Sequence, residues 1–327
     1  MRALRRAQMV LMTSSTASAV HPLPTTPATS ARIAPPGEPL SCGDLARAFR
    51  GTPHRMVDIG HSRMAYWKFG HGPDLVLVHG WPLDSATFRN VLPRLSQQFT
   101  CHLFDLPGVG QSVSLPGAPT DFVSHATSLR AAIDALGLEG YALLAHDSGG
   151  FVARLLAAHD ERVTRMVLGD TEIPGHTPPL IMAFALLARL PFAPAVLRVM
   201  LGNRTLRRSA LGFGGAFTDV GFVDGAFFDL FVRPLVEDEA VARAQLAPLR
   251  QLHAGTMAAL VAAHPRITVP VLLIWGTEDP FFPVGLARKM SPQFGGPVTF
   301  ETIEGAKVFP HEDRADEFVE RALAFLA

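Results

Sequence analysis

Short apolar runs alternate with stretches of helical spacing along most of the chain, and this alternation predicts its architecture. Two strands joined by a turn at Gly60 are predicted for residues 54–69, and a further strand ends at Phe104. Other buried strands are predicted at residues 75–78, 141–145, 163–169, 269–275 and 298–303, and helices at residues 85–97, 121–136, 150–158 and 313–326. This spacing is typical of α/β proteins, in which helices cover both faces of a mostly parallel sheet.

The alternation stops between residues 174 and 247, where apolar helical runs precede a stretch rich in phenylalanine and glycine. This segment predicts a helical cap, inserted into an α/β core that comprises residues 46–173 and 248–327. A membrane-spanning helix is the alternative, but Arg189 and Arg198 interrupt the apolar run before about 20 residues accumulate. We therefore expect a cap and no stable membrane insertion.

Residues 1–45 differ in composition from the rest and are predicted to form a disordered tail. The first 40 are rich in Ser, Thr, Ala and Pro and carry few charges after Arg6. Arg2, Arg5 and Arg6 precede an apolar run of about four residues, against the roughly 7–15 that a signal peptide requires. We expect a cytoplasmic protein, with a weak, signal-like leader as the alternative.

Charge and cysteine content exclude several functional classes. The 327 residues include 29 basic and 29 acidic side chains, and this balance indicates neither a nucleic acid nor an anionic membrane as partner. Cys42 and Cys101 lie far apart and outside any CxxC pattern, which argues against a disulfide framework or a zinc site. No sequence feature indicates a metal or an organic cofactor.

Asp147 is the strongest candidate for chemistry, because it lies where a buried strand gives way to a helix. The run from Leu143 to Gly150 reads Leu-Leu-Ala-His-Asp-Ser-Gly-Gly, the pattern of a nucleophile elbow with aspartate in place of the usual serine. Such a turn is strained and requires small neighbours, which Ala145, Gly149 and Gly150 provide. A carboxylate of ordinary pKa is ionised at neutral pH and needs no base to displace a leaving group from a saturated carbon.

With three further motifs, the elbow resembles the α/β-hydrolase superfamily, in the branch that uses an aspartate nucleophile. This branch contains haloalkane dehalogenases, haloacetate dehalogenases and epoxide hydrolases. The other motifs are His-Gly-Trp-Pro at residues 79–82, the loop at residues 105–112 and Trp-Gly-Thr-Glu-Asp at residues 275–279. The resemblance covers residues 55–327 and implies the α/β-hydrolase fold, a mostly parallel central sheet flanked by helices with an inserted helical cap.

The resemblance implies a role for each of five residues. Asp147 would be the nucleophile, and the backbone N–H groups of Trp81 and Ser148 would form the oxyanion hole. Asp279 stands where the family has the acid that orients the catalytic histidine. Glu172 matches an alternative acid position of some haloalkane dehalogenases, or is a loop carboxylate at the hinge of the cap.

The catalytic base departs from the family pattern, because Val308 occupies the position of the expected histidine. A valine cannot take a proton, so hydrolysis of an ester on Asp147 loses its usual base. His311 lies three residues later and is either a replacement base or a polar residue at a helix start. His176 is a less favoured substitute, and His146 is expected to be structural.

Missing residues argue against two of the three substrate classes. Epoxide hydrolases of this branch donate a proton from cap tyrosines, whereas Tyr66 and Tyr141 lie in predicted core strands. Haloacetate dehalogenases hold the substrate carboxylate with arginines at positions that are here Ser148 and Phe151. For a haloalkane, the Trp81 indole N–H and the Ser148 hydroxyl are the candidate halide donors.

An apolar pocket is expected, with cap phenylalanines such as Phe184 and Phe222 among its walls beside Trp81. The leading hypothesis is a cofactor-free hydrolase in which Asp147 displaces a halide from a small apolar substrate. Water activated by His311, together with Asp279 or Glu172, would cleave the resulting ester. An epoxide hydrolase is one alternative, and a ligand-binding protein or non-hydrolytic catalyst on the hydrolase fold is the other.

Overall fold

A computed structural model describes residues 40–252 and 254–327, and one large sheet forms the centre of this part of the chain. Within these residues the nine strands are Arg55–Asp58 (β1), Ser62–Phe69 (β2), Asp74–Val78 (β3), Thr100–Phe104 (β4), Val113–Ser114 (β5), Tyr141–His146 (β6), Val163–Gly169 (β7), Val271–Gly276 (β8) and Val298–Ile303 (β9). They lie in the order β1-β2-β4-β3-β6-β7-β8-β9, and β5 pairs with β2. The mostly parallel sheet predicted from the sequence is confirmed. In the order of the strands across the sheet, the pairs β4–β3, β3–β6, β6–β7, β7–β8 and β8–β9 are all parallel.

Helices cover both faces of this sheet, which explains why its central strands are continuous apolar runs. All six residues of β6 and all six of β8 are buried. The α-helices are Cys42–Arg50 (α1), Leu92–Leu95 (α2), Phe122–Leu136 (α3), Ser148–Ala157 (α4), Pro179–Leu187 (α5), Ala193–Gly202 (α6), Arg204–Arg207 (α7), Arg233–Glu237 (α8), Glu239–Arg250 (α9), Ala254–Ala263 (α10), Val284–Met290 (α11), Pro310–Asp313 (α12) and Ala315–Leu326 (α13). Short 3₁₀ segments lie at Ser85–Asn90, Val220–Val223, His264–Arg266 and Ser291–Gln293, and a π-helical turn lies at Phe228–Val232.

Residues 42–45, which the sequence assigned to a disordered tail, belong to helix α1. The Ser41 hydroxyl accepts a hydrogen bond from the Asp44 N–H and thereby caps this helix. Leu45 and Phe49 are buried against the core, so apolar burial holds the helix in position. The rest of that tail, residues 1–39, lies outside the described residues.

Helices α5 to α9 lie between β7 and β8, in the segment for which the sequence predicts a cap, and we refer to this segment as the cap. Helix α9 ends at Arg250, beyond the boundary at residue 247 that the sequence suggested. An aromatic contact joins the cap to the core, since Phe217 lies 5.1 Å from Phe309 between ring centroids. No helix of the described residues is both long enough and apolar enough to cross a bilayer.

The Asp105 carboxylate holds together the loops at the edge of the sheet where the parallel strands end. Its Oδ1 accepts the Ser85 N–H at 3.0 Å, and its Oδ2 accepts the Gln111 N–H at 2.8 Å. The nearby His79 ring accepts the Leu106 N–H at 3.0 Å. These bonds to backbone donors hold residues 79–82 beside the carboxyl end of β6.

Candidate active site

Asp147 lies between β6 and α4 in a backbone conformation that side chains rarely adopt. Its φ is 50° and its ψ is −137°, and no other non-glycine residue among those described has a positive φ. Such a conformation costs on the order of 1–3 kcal/mol and persists only where the surroundings enforce it. The elbow predicted from the sequence therefore has the expected backbone geometry.

Close backbone approach explains why the neighbours of Asp147 are glycines. A Cβ on Gly149 would lie 2.2 Å from the Val78 carbonyl oxygen, and one on Gly150 would lie 2.4 Å from the Thr171 hydroxyl. A Cβ on Gly80 would lie 2.5 Å from the Cβ of Asp147 itself. The strand ends thus meet the start of α4 at distances that exclude any side chain.

Two backbone N–H groups converge on the Asp147 carboxyl group. The Trp81 N–H donates to Oδ2 at 2.8 Å and is shared with the Ser148 hydroxyl, also at 2.8 Å. The Ser148 N–H favours the ionised carboxyl group and lowers its pKa. The two amides that the sequence suggested for an oxyanion hole therefore both reach the candidate nucleophile.

The pKa of Asp147 is raised well above its ordinary value. Burial is the main cause, and the negative charge of Glu172 is the next. The weaker influence of Asp279 acts in the same direction. The expectation of a carboxylate with an ordinary pKa is therefore wrong, because a buried carboxyl group beside like charges resists ionisation.

Glu172 is the acidic neighbour with the strongest effect on Asp147. Its Oε2 accepts the Thr171 hydroxyl at 2.8 Å and lies 3.6 Å from the guanidinium of Arg154, which is fully buried. Burial raises the pKa of Glu172, whereas the charge of Arg154 lowers it. Glu172 also lines a cavity that contains Asp147.

Asp279 is buried after β8, at the position suggested for the acid. Its Oδ1 accepts the N–H groups of Phe281 at 2.7 Å and Phe282 at 3.0 Å, while its buried Oδ2 has no hydrogen-bond partner among the described residues. Burial raises its pKa to about 6. Asp170, at the end of β7, faces it, and the pKa of Asp170 is raised well above normal by burial and by the Asp279 charge.

Asp170 had no functional role in the sequence-based interpretation. Its Oδ1 accepts the Gly276 N–H at 2.9 Å. The available signal was an acidic residue directly after a buried strand, two positions before Glu172. Together with Asp147 and Asp279, these residues form a group of four buried or half-buried carboxyl groups at the strand ends.

His311 does not lie in the cavities that contain Asp147. Its side chain is fully buried behind them, with Nε2 2.7 Å from the Thr87 hydroxyl and the ring centroid 4.1 Å from that of His146. Burial lowers its pKa well below the ordinary value. Of the two interpretations given for His311, the structure does not support a replacement base, because α12 directs this side chain towards Thr87 and away from Asp147.

His146 contacts the loop that contains Val308, the position where the family has its catalytic histidine. Its Nε2 hydrogen-bonds to the carbonyl oxygen of Val308, and burial lowers its pKa to about 4. The Val308 side chain itself lines the larger cavity beside Asp147. A side chain at this position therefore faces the candidate nucleophile.

His176 is the one histidine among the described residues that line the two cavities containing Asp147. Its Nε2 lies 2.8 Å from the carbonyl oxygen of Phe281 and must carry the proton to make this hydrogen bond. In that neutral tautomer Nδ1 has a free lone pair and is able to accept a proton. The sequence placed His176 below His311 as a base, because chain spacing does not show which loop enters the pocket.

An apolar cavity lies between the cap and Asp147. Its walls include Phe184 and Trp81, as expected, and Leu180 and Leu197 of the cap. Phe222 is not one of its wall residues, since its ring stacks on Phe217 with 6.0 Å between centroids.

The Trp81 indole N–H does not point at the space beside Asp147. It donates to the Gln245 carbonyl oxygen in α9 at 2.6 Å. The expectation that it serves as a halide donor is therefore wrong for this conformation, because a cap carbonyl already accepts its hydrogen. The indole instead links the core motif at residues 79–82 to the cap.

Known proteins resemble this chain in sequence and in fold. The α/β hydrolase fold family matches residues 73–315. Haloalkane dehalogenase 2 of Mycobacterium tuberculosis is 28% identical over 270 residues, which cover 80% of this chain and 91% of that protein. A soluble epoxide hydrolase of Corynebacterium sp. is 40% identical over 124 residues, which cover 37% of this chain and 42% of that protein.

The solved structures agree with this relationship at the level of the fold. The crystal structure of an ancestral haloalkane dehalogenase superposes with a TM-score of 0.69 at 24% identity, covering 83% of this chain and 97% of that one. The family match includes β3 to β9 and the nucleophile elbow, and therefore most of the chain. The chain is a hydrolase that belongs to the α/β-hydrolase fold family.

Proposed function

We propose that this hydrolase uses Asp147, without a cofactor, to displace a halide from a small apolar alkyl substrate. The observation that carries the proposal is the Asp147 carboxyl group itself. It sits at a strained elbow, receives the Trp81 N–H on Oδ2 and opens into an apolar cavity. An apolar cavity favours a hydrophobic substrate over a sugar or a nucleotide.

The first step forms an ester between Asp147 and the substrate. Oδ1 attacks the carbon that bears the halogen, the carbon–halogen bond breaks, and the bonding electron pair leaves with the halide. In the second step, water attacks the carboxyl carbon of the ester. The developing negative charge on Oδ2 is then stabilised by the N–H groups of Trp81 and Ser148, which already point at the carboxyl group. Loss of the alcohol regenerates the carboxylate.

Only the ionised form of Asp147 attacks, so its raised pKa controls the first step. A desolvated carboxylate is a stronger nucleophile than a hydrated one, because no water shell has to be removed at the moment of attack. Burial therefore reduces the fraction of reactive enzyme at low pH and increases the reactivity of each ionised group.

His176 is the base that we assign to the second step. It borders the cavity with Asp147 and Glu172, and its tautomer leaves Nδ1 free to accept a proton from water. His311 is assigned no role in proton transfer, because it is enclosed by Thr87, Phe88 and Phe318.

The positions of the two tyrosines, both among the described residues, argue against the epoxide alternative. The Tyr66 hydroxyl is bonded to His102 at 2.8 Å, and the Tyr141 hydroxyl is bonded to Asp160 at 2.9 Å. Neither tyrosine lines a cavity with Asp147. A diol formed from an epoxide, without halide release from haloalkanes, would favour this alternative over the proposal.

A protein that binds its ligand without hydrolysing it is the second candidate, and Val308 favours it. The apolar side chain of Val308 faces the cavity where the family pattern has the histidine. In that case Asp147 would form a lasting ester or no ester at all.

Asp147→Asn should lower halide release from 1-bromoalkanes by at least about a thousandfold, because a neutral amide is a poor nucleophile. Single turnover of the wild type in ¹⁸O-labelled water should leave the label in the Asp147 peptide, measured by mass spectrometry. Asp219→Asn, the same change at an exposed cap carboxylate, should retain full activity. A freshly prepared Asp147→Asn variant with wild-type activity would refute the mechanism.

Glu172→Gln should shift the acid limb of the ester-forming step to lower pH. Glu172 raises the pKa of Asp147 by its charge, so its neutralisation lets Asp147 remain ionised in more acidic solution. The measurement is single-turnover halide release as a function of pH. Asp279→Asn removes one charge that acts more weakly on Asp147 and should shift the limb less. An unchanged acid limb in Glu172→Gln would show that this coupling is absent.

His176→Gln should slow the second step by about a hundredfold and leave the first-turnover release of halide unchanged. The intact-protein mass should then show an alkyl adduct that maps to Asp147. His311→Gln, the matched control in the core, should accumulate no adduct. If His311→Gln traps the ester with an unchanged melting temperature and His176→Gln does not, His311 is the base.

Val308→His should speed ester hydrolysis by at least about tenfold, because it supplies an imidazole at the family's base position. The Oδ2 of Asp279 is buried near Asp170, receives no hydrogen bond of good geometry from the described residues and is able to accept the imidazole N–H. Val308→Asn introduces a polar group that is not a base and should give no such gain. The rate is measured from the decay of a preformed alkyl adduct, followed by intact-protein mass spectrometry. If the wild type accumulates the adduct and Val308→His does not, the result would support the second candidate.

A further inference from the structure

The outward surface of the cap exposes more large hydrophobic side chains than the rest of the described chain does. Of the 13 large hydrophobic residues exposed in the described part, eight lie between residues 182 and 211. We call these eight the outer cap face: Met182, Leu186, Leu190, Phe192, Val196, Val199, Leu206 and Leu211. Val199 is the most exposed of them, at 71%. Patches of this kind on a folded protein mark an interaction site.

Helical spacing shows that α5 is apolar on two opposite sides. Leu180, Ile181 and Phe184 line the cavity. Met182 and Leu186 follow a spacing of four residues on the other side of the helix, and both are exposed. A helix that is apolar on both sides is normally buried on both, so water is an unfavourable neighbour for the outer side.

Helix α6 repeats this arrangement. Leu197, Met200 and Leu201 line the cavity, whereas Val196 and Val199 project from the other side. Both helices therefore form a thin apolar wall, with the Asp147 cavity on one side and the outer cap face on the other. Since α5 has nine residues and α6 has ten, neither is long enough to span a bilayer.

The charges of the same segment are all positive. Residues 173–218 contain five arginines and no aspartate, glutamate or lysine. Arg198 pairs with Glu239, whereas Arg204, Arg207 and Arg208 share the single carboxylate of Asp224, and this sharing leaves an excess of positive charge.

Arg189 adds to this excess. It is exposed and takes part in none of the ion pairs found among the described residues. Arginines around an apolar helical surface match the chemistry of an anionic lipid bilayer, where apolar side chains enter the acyl boundary and guanidinium groups contact phosphates. A protein partner of acidic surface would match the charges, but it would not require an apolar face on two successive short helices.

We propose that the outer cap face adsorbs to the surface of an anionic phospholipid bilayer, with α5 and α6 lying in the plane of the interface. In this orientation the wall formed by α5 and α6 separates the bilayer from the Asp147 cavity. Docking goes beyond the proposed reaction and does not depend on it. Of the eight residues of the outer cap face, only Leu211 also lines the cavity that contains Asp147.

The test is sedimentation of the full chain with vesicles of phosphatidylcholine, alone or with about one third phosphatidylglycerol. We expect binding at least about tenfold stronger to the anionic vesicles, and a loss of that preference in high salt, which screens the arginines. Arg189→Gln should weaken the preference, whereas Arg266→Gln, an exposed arginine outside the cap, should not.

A matched pair of double variants isolates the apolar contribution. Leu186→Ser with Val199→Ser should reduce vesicle binding at least about tenfold. Val123→Ser with Val261→Ser removes two similarly exposed apolar side chains from another surface and should bind as the wild type does. Thermal unfolding checks that all variants are folded, and Asp147→Asn should bind vesicles normally whether or not the proposed reaction occurs.

Two results would overturn the docking proposal. One is equal sedimentation with neutral and anionic vesicles, or none with either. The other is a wild-type dimer, measured by light scattering, that becomes monomeric in the Leu186→Ser, Val199→Ser variant without any change in vesicle binding. That result would assign the outer cap face to contact with a second copy of the chain.

Discussion

The left-handed backbone of Asp147 is the constraint on which the candidate site depends. It requires the start of α4 to pass within van der Waals contact of the end of β3, which Gly80 and Gly149 allow, and of Thr171 after β7, which Gly150 allows. The same approach brings the Trp81 N–H to 2.8 Å from the carboxylate. Strain at one residue and close packing of three glycines thus fix the nucleophile against its hydrogen-bond donors.

Uncompensated negative charge is the second theme of the site. Asp147, Asp170, Glu172 and Asp279 lie at neighbouring strand ends, and each has a raised pKa for which burial is the largest cause. The buried guanidinium of Arg154 compensates only Glu172 among them. A histidine at the position of Val308 would add a group able to become positive, so its absence and the raised pKa values are consistent with one another.

The cap combines two surfaces that are usually found on different elements. Its helices enclose the apolar cavity and also expose apolar side chains to the outside. The Trp81 indole connects this cap to the nucleophile's own motif through the Gln245 carbonyl oxygen. Helix α9 is therefore hydrogen-bonded to the same residue whose backbone N–H donates to the Asp147 carboxylate.

The sequence by itself determined the parallel sheet and the elbow, because strands buried on both faces must be continuous apolar runs and a strained turn must have small neighbours. Only the tertiary structure decided which histidine borders the cavity. His311 is directed away from the cavity by Thr87, more than two hundred residues earlier in the chain, whereas His176 enters beside Phe281. Side-chain direction depends on such long-range contacts, and local spacing carries no information about them. The balanced net charge likewise concealed the run of residues 173–218, in which every charged side chain is an arginine, since charge matters by position and composition records only the sum.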